Sequence, residues 1–507
     1  MVANKLKLIV YIITNFYTIN LTSQDHGINW ILGYGINNDT SLYGRTIINF
    51  SGTTLALNRN SGGFKFNLDF ENNSFSDGQG KLRFFYDGFR LGNAIDYNII
   101  ENGDTLNPGK IWLNYQGGSY PISDASVFLP PLKFDSILML IHLPIDFYNG
   151  QPYPYSPSIY ETRINMNSNG GKGKAISKNK AIFKGNISPI VFSGCRHSNG
   201  RDWWLIFKNN QGPKYYKFLY SNSQIYKIDS QELGSSVIDY SSVGNAVFSQ
   251  DGKKFVRISN QDGIQIFNFD RCDGNLSNFV QIENDSIKPS IWVNVALSAN
   301  NRFLYASTNT KIFQYDLEAS NIQASMEIVG NWDGFIYDRF FTTSFCDMQL
   351  AADGKIYISC ASGNIFLHVI NDPDLKGKSC DFQLRAVTLP SYIACGLGNY
   401  PNYLLGPEEG SICDSLTATR TFDLRNPFHL FPNPSDGILR IEIDELNVGK
   451  SLEISIFDIS GTGIINQLLD SSATSWTLNC DYLQAGLYFI ELKLDGKLLQ
   501  TFKWVRN

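Results

Sequence analysis

Apolar and polar side chains alternate in short runs along most of the chain, and Asn, Asp and Gly break the runs. Such runs predict strands with one buried face. In the middle of the chain they recur as a unit: a turn dipeptide, a basic residue, then an apolar or aromatic strand. Asn199-Gly200 precedes Arg201, Asp202 and Trp203 to Ile206, and Asp251-Gly252 precedes Lys253, Lys254 and Phe255 to Ile258. Asn300-Asn301 precedes Arg302 and Phe303 to Ala306, and Asp353-Gly354 precedes Lys355 and Ile356 to Ser359. Successive turns lie 52, 49 and 53 residues apart. In the last three units another apolar strand runs into the turn, at Ala246 to Phe248, Val295 to Leu297 and Met348 to Leu350. Asn and Gly accept the positive φ of a tight turn, so each unit reads as a hairpin. A second hairpin follows, as at Gly263 to Phe269 and Lys311 to Asp316. Two hairpins make a four-stranded sheet. Four strands every fifty or so residues predict the blades of a β-propeller.

Weaker copies lie upstream. Gln79-Gly80 leads into Lys81 to Tyr86, and Asp135 leads into Ser136 to Leu140. Their spacings of 55 and then 65 residues leave room for loop insertions, such as the Pro/Tyr-rich stretch Tyr148 to Tyr160. That makes six units. A seventh is expected to be shared between an early strand, Thr46 to Leu57, and a late one, Phe382 to Leu389, which would close the ring and remove exposed strand edges. Seven blades is the favoured count, with six and eight as neighbours; a large irregular β-sandwich is the bland alternative.

After Pro407 the pattern changes. Residues 408–426 are a polar linker of Gly, Ser, Thr and Asp, and 427–507 read as a compact all-β unit. Leu439, Ile441 and Ile443 alternate with Arg440, Glu442 and Asp444, and Leu452, Ile454 and Ile456 alternate again. Gly486 opens Leu487 to Leu494, and Asp495-Gly496 turns into Lys497 to Val505. Six or seven such strands predict a small Ig-like β-sandwich. The motifs Phe431-Pro432-Asn433-Pro434 with Gly437, Gly486-Leu487-Tyr488, and Gly496-Lys497 with Lys503 and Arg506 near the end occur here in order. Together they resemble the type A C-terminal sorting domain of the type IX secretion system. The resemblance implies recognition in the periplasm, passage through the outer membrane by the type IX machinery, and delivery to the cell surface or the medium. Asn102 to Gly109, Cys195 to Trp204 and Asn399 to Tyr403 are similar to uncharacterised propeller-type proteins that precede such domains, over about residues 30 to 407. That similarity implies a fold and an exported context, with no defined activity.

Composition agrees. Aromatics make up 14% and charged residues only 18% of the 507 residues, which excludes a disordered chain or a coiled coil. A net charge of −5 gives no basic footprint for nucleic acid. Lys5 and Lys7 precede the mostly apolar Leu8 to Tyr17, and Ser23 is small, so residues 1–23 read as a signal peptide and 24–407 as the propeller. No other stretch is apolar for long enough to span a membrane. Eight Cys without a CxxC pair, and five His, argue against structural zinc. Cys380, Cys395 and Cys413 crowd the end of the large domain, where one disulfide is plausible; buried free thiols are the alternative.

Candidate chemistry is thin. His197, Arg201, Asp202, Trp203 and Trp204 fall within eight residues and could bind a sugar. The bland reading makes Asn199-Gly200 a hairpin turn, Asp202 its cap with Arg201 as partner, and the two Trp packing groups on opposite faces. Ser249 to Phe255 resembles a loose Asp-box, a structural turn. Asn169 to Lys174 lacks the phosphate-loop spacing and reads as a mobile loop. No Gly-x-Ser-x-Gly elbow or His-Glu-x-x-His pair occurs, no catalytic residue is assigned, no cofactor is called for, and a metal at the axis is left open. Two functions follow. The first is a secreted or surface-attached binding or scaffolding protein for a glycan or protein ligand. The second is a hydrolase or lyase, lactonase-like or glycan-cleaving, working at the propeller axis. A scaffold plugs that axis, whereas an enzyme brings carboxylates, His or a metal to an open funnel.

Overall fold

The computed structural model describes residues 26–33, 42–52, 55–60, 64–131, 136–147, 154–221, 224–234, 243–414, 428–443, 452–470, 473, 475–494 and 497–507. The segment 1–23 read as a signal peptide, Asp135, most of the linker and Gly496 lie outside them. The chain divides into two units, Met1–Ser415 and Leu416–Asn507.

The period of fifty is carried by turn chemistry. In four hairpins the last turn residue has positive φ: Gly200 (69°), Gly252 (71°), Asn301 (65°) and Gly354 (79°). Each donates its N–H to the carbonyl three residues back, at 2.8–3.0 Å. The preceding Asn or Asp accepts the backbone N–H two residues on: Arg201, Lys253, Arg302 and Lys355, at 2.9–3.1 Å. The basic residue therefore follows the turn because its backbone closes an Asx-turn while its side chain pairs with a neighbouring polar group, as Arg201 with Asp202, Lys253 with Glu408, Arg302 with Asp316 and Lys355 with Asn371. Asp77 does the same ahead of Gly80 in the weaker upstream copy.

Seven antiparallel sheet units follow one another in the first unit. Blade 1 is Asn29–Leu32, Arg45–Asn49 and Ala56–Asn60; blade 2 is Asn73–Ser76, Leu82–Tyr86 and Leu91–Asn93. Blades 3 and 4 share an eight-stranded sheet, joined by the single strand Lys174–Arg196. The first half of that strand pairs with Pro154–Asn165 of blade 3, and the second half with Trp203–Asn209 of blade 4. Blade 5 begins at Gly244–Phe248, blade 6 at Asn294–Leu297 and blade 7 at Phe345–Leu350, each with four strands. Seven apolar clusters lie between consecutive blades, and the last joins blade 7 to blade 1. Both faces of nearly every blade are thus buried, which explains the low charge content.

Three expectations are corrected here. First, the ring does not close by a shared sheet. Phe382–Ile393 pairs with Asn364–Ile370, while Arg45–Asn49 pairs within blade 1. The two blades meet face to face, with Trp30, Ile48 and Phe50 against Tyr357, Leu367 and Leu389 and a Thr46–Ser391 hydroxyl contact of 2.6 Å. Burial of apolar faces closes the ring without edge pairing. Second, the stretch read as an insertion contains strand from Pro154 onward, and Asn169 to Lys174 is a short 3₁₀ connection between two long strands. Its Gly171 carbonyl accepts from Arg83 of blade 2 at 3.3 Å. Third, the crowded cysteines do not pair with one another. Cys395 is bonded to Cys346 and Cys413 to Cys272, while Cys195, Cys360, Cys380 and Cys480 are buried thiols.

The Cys346–Cys395 bond ties the first strand of blade 7 to the segment that leaves blade 7, across a 49-residue separation. Loop-closure entropy assigns such a cross-link about 2–4 kcal/mol. Replacing both by Ser is expected to lower the stability by that amount, read as a lower urea midpoint with an unchanged far-UV spectrum.

The second unit is a two-sheet sandwich: Phe428–Phe431, Ile438–Ile443 and Ser475–Asn479 in one sheet, Gly463–Leu469, Leu452–Phe457, Gly486–Leu494 and Lys497–Arg506 in the other. Leu439, Ile441, Ile454, Ile456, Ile490 and Trp504 fill its core. Among the described residues no helix is long and apolar enough to cross a membrane.

Candidate functional site

The segment His197 to Trp204 is a structural turn. Trp203 packs into the core between blades 3 and 4, and Trp204 into the core between blades 4 and 5. Trp204 Nε1 donates to Arg271 O at 2.8 Å. The His197 ring bonds to the Cys272 carbonyl at 2.9 Å, and burial lowers its pKa. Asp202 is buried, which opposes its ionisation, but Arg201 at 2.8 Å and Asn199 outweigh that and hold its pKa low. Of the five candidates only Arg201 presents its charge to water.

The propeller axis, where the sequence placed the enzyme alternative without naming residues, carries more chemistry. Glu71, just before the first strand of blade 2, and Asp347, in the first strand of blade 7, are 1% and 2% exposed. Glu71 accepts from Ala125 N at 2.8 Å and from the Ser126 hydroxyl. Asp347 accepts from Met348 N and Leu397 N, each at 2.8 Å. Burial pushes the Glu71 carboxyl to about 7 and the Asp347 carboxyl to about 6. Asp124, just before blade 3, is raised by burial, then by Asp347 and Glu71.

Residues 394–407 cross this axis after leaving blade 7. Gly396 N donates to Asp69 O at 2.6 Å, the Tyr400 hydroxyl meets Ser74 Oγ at 2.7 Å, and Asn399 Nδ2 donates to Phe192 O at 3.1 Å. Asn402 Nδ2 donates to Gln250 O at 2.7 Å, and the Tyr403 hydroxyl to Phe128 O at 2.9 Å. The segment therefore ties together blades 2, 3, 4, 5 and 7. Gly396 is required because a Cβ there would strike the Phe70 carbonyl. On the side where the first strands begin, Phe70 and Trp292 stack with centroids 5.6 Å apart. The cavity left beside the plug, between Val247, Ala296, Met348 and Tyr400, is about 30 Å³. That volume holds a water or two and no substrate.

A signal for this site did exist. Asn73 and Asn294 open the first strands of blades 2 and 6, Asn245 is the second residue of blade 5's and Asp347 the third of blade 7's, so that Asn245, Asn294 and Asp347 again follow the fifty-residue period. Their side chains bridge to the next first strand or the plug: Asn73 to Ser126 O at 3.0 Å, Asn245 to Val295 O at 3.0 Å, Asn294 to Cys346 O at 3.1 Å, and Asp347 to Leu397 N.

In the second unit the structure gathers the 432–437 motif with Gly486 to Tyr488 and the end of the last strand, 50 to 70 residues later in sequence. Asn433 Oδ1 accepts from Val505 N at 2.9 Å, and its Nδ2 donates to Lys503 O at 2.6 Å. Ser435 N donates to Val505 O at 3.0 Å, and Trp504 Nε1 donates to Ser435 Oγ at 3.0 Å. Gly437 has φ of 112°, and a Cβ on it would lie 2.6 Å from Asp481 Cα. Gly486, Leu487 and Tyr488 pair with Arg506, Val505 and Trp504. Pro432, Pro434 and Asn433 thus share one corner with Gly486 to Tyr488 and the last strand. Lys497 pairs with Leu494 at the far end of the same hairpin, away from that corner. Ser435 and Trp504 were missed; the alternation of Phe502 and Trp504 marks the latter as inward-facing.

Comparison with known proteins matches this unit to a family of secretion system C-terminal sorting domains over residues 429–506. Residues 429–506 are a sorting domain of that family. The chain is therefore marked for export by its C-terminal unit. A search of curated proteins finds no match. Among solved structures, the chain is similar to a candidate 6-phosphogluconolactonase from Bacteroides uniformis ATCC 8492, at 13% identity over 74% of this chain and 98% of that one, TM-score 0.42. A protein from Lactobacillus plantarum is 10% identical over 72% and 98%, TM-score 0.42. The Myceliophteria thermophila Cps50 (Swd1) β-propeller domain is 12% identical over 66% and 93%, TM-score 0.33. Likeness at this level bears on neither activity nor ligand.

Proposed function

We propose that the protein is a binding or scaffolding propeller carried through the outer membrane by the type IX secretion machinery and placed on the cell surface or released. The sorting-domain match over 429–506 supports the export half. The sealed axis carries the other half. Enzymatic work at a propeller axis needs an open approach for substrate. Here residues 394–407 fill that approach, leaving about 30 Å³ beside Val247 and Met348 and an open hollow of about 160 Å³ over Trp30 and Tyr400 to Leu404. The rim is roomier: a groove of about 790 Å³ runs past Lys253, Arg271, Asp273, Glu408 and Ile412. Its mixed charges and amides suit a polar, extended ligand such as a glycan or peptide.

Two readouts test this. Protease added to intact cells should cleave the propeller, as it would any surface protein. The purified full-length protein should bind members of a glycan or peptide array without turning over lactone or polysaccharide substrates. Turnover that disappears in Asp347→Asn would replace the binding reading with an axial enzyme.

A further inference from the structure

The two disulfides sit in unlike places. Cys346 and Cys395 are 0% and 3% exposed. Cys272 and Cys413 are both partly exposed, and Cys272 lines the rim groove. Cys272 belongs to the turn between Gly263–Phe269 and Leu276–Ile282, the last two strands of blade 5. That turn is held without the disulfide. Asp270 Oδ1 accepts from Cys272 N at 2.7 Å, Gly274 N donates to Asp270 O at 2.8 Å, and the Cys272 carbonyl meets the His197 ring at 2.9 Å. Cys413 lies on a strap, residues 408–414, of which only the first residue is otherwise fixed. Glu408 N donates to Ser198 O at 2.8 Å, and the Glu408 carboxylate pairs with Lys253 at 3.1 Å. Beyond Glu408 the hydrogen bonds are internal to the strap: Ser411 N to Glu408 O at 3.0 Å, Gly410 N to Asp414 Oδ2 at 3.3 Å, and Cys413 N to Ser411 Oγ at 3.2 Å. Among the described residues, no hydrogen bond or ion pair joins 409–414 to the blades. Ile412 is 95% exposed and packs against nothing. The bond from Cys413 to Cys272 alone therefore keeps the end of the strap on blade 5.

Five residues that line the groove, Glu408 to Ile412, belong to this strap. A segment with no packed side chain does not offset its own ordering entropy once its one covalent tie is broken. We propose that Cys272 and Cys413 form a redox latch: the groove gains its second wall only when they pair, so the ligand site assembles after the chain has left a reducing compartment, and a dithiol reopens it. Closing joins the two sulfurs, releases two protons and passes two electrons to an external disulfide, which becomes a dithiol. Opening is the reverse. A thiolate of the dithiol attacks one sulfur, the other leaves as a thiolate, and the second thiol of the dithiol resolves the mixed disulfide. The partly exposed bridge is open to that attack, whereas burial shields Cys346–Cys395. Cys195, Cys360, Cys380 and Cys480 are buried thiols, so they do not exchange with the latch. The gating of a ligand rests on the reading of the groove as the binding site and of the chain as exported; the latch itself rests on the contacts above.

The test uses the full-length oxidised protein under native conditions. A limiting dithiol followed by iodoacetamide should label Cys272 and Cys413 while Cys346–Cys395 stays closed, as read by peptide mapping. Reduction should speed cleavage after Glu409 by a Glu-specific protease about tenfold, because a released strap can enter an extended protease cleft. Capture on a glycan and peptide array should fall about tenfold in the reduced form and return on reoxidation, because the groove loses a preorganised wall. Both bridges opening together, or equal cleavage rates in the two forms, would overturn the latch. Equal capture by the two forms would overturn the gating. Capture by neither form would reject the binding reading, and labelling and cleavage would still decide the latch. The double variant Cys272→Ser, Cys413→Ser should behave as the reduced form does; should it fail to fold, the reduced wild type supplies the same comparison.

Discussion

A chain lacking Phe428 to Asn507 is expected to accumulate in the periplasm, with the propeller folded and no surface signal. The last unit has its own core and its own two sheets, so its removal leaves the seven blade interfaces untouched. Cell fractionation and protease treatment of intact cells read the outcome; surface display that survived the truncation would reject the sorting role. A sharper version targets the motif corner. Asn433→Ala removes both side-chain bonds to the last strand, and two exposed hydrogen bonds of this kind are together worth about 1 kcal/mol. Gly437→Val adds a strained φ and a clash with Asp481. If the machinery reads this corner, both variants reduce surface display several-fold while propeller stability stays constant. Lys497→Ala, at the opposite end of the hairpin, should do so less.

Below about pH 6.5 the propeller is expected to lose the stability that its neutral buried histidines contribute, an effect the buried carboxyls Glu71, Asp347 and Asp124, raised by burial, oppose. Three buried histidines are held neutral. Burial lowers His26 to about 4, His142 to about 3 and His368 to about 4. Their bonds fit the neutral ring: His142 Nδ1 donates to Asn107 Oδ1 at 2.6 Å and Nε2 accepts from Thr162 Oγ1 at 2.9 Å. His368 Nε2 donates to Thr343 O at 2.9 Å while Nδ1 accepts from Arg385 N at 3.1 Å. In the unfolded chain each protonates near 6.5. At these histidines the unfolded state therefore binds more protons between about pH 6.5 and 4, and their contribution is full above that window and lost as pH falls through it. Each histidine contributes on the order of 3 kcal/mol by pH 4. Other groups titrate in the same range, so the measurement is a difference. Urea unfolding from pH 7 to 4 should show a slope smaller by up to about 1.4 kcal/mol per pH unit in His142→Gln than in wild type. Equal slopes would mean that His142 is not kept neutral.

The blades of the second half were legible because their turns are local. Asx-turns such as Asp251-Gly252-Lys253 close within a few residues, and the apolar runs beside them bury by alternation alone. The motifs of the sorting domain were legible for the same reason: Pro, Gly and the last strand each carry a local conformational demand. The first half was harder. The strand Lys174–Arg196 joins two blades, and no local rule marks where one blade ends within it. The axial carboxylates were missed altogether. Asp69-Phe70-Glu71-Asn72-Asn73 reads as a polar loop, and only the arrival of Gly396 to Asn399, more than 300 residues later, seals it.

The sequence by itself determined an all-β chain of repeated blades, a separate C-terminal sandwich and the sorting motifs, because turn chemistry and side-chain alternation act over a few residues. The tertiary structure alone decided how the ring closes, which cysteines pair, and that the axis is plugged over a sealed group of carboxylates. Those features depend on which distant backbone fills a shared space, and that is set by packing of the whole ring.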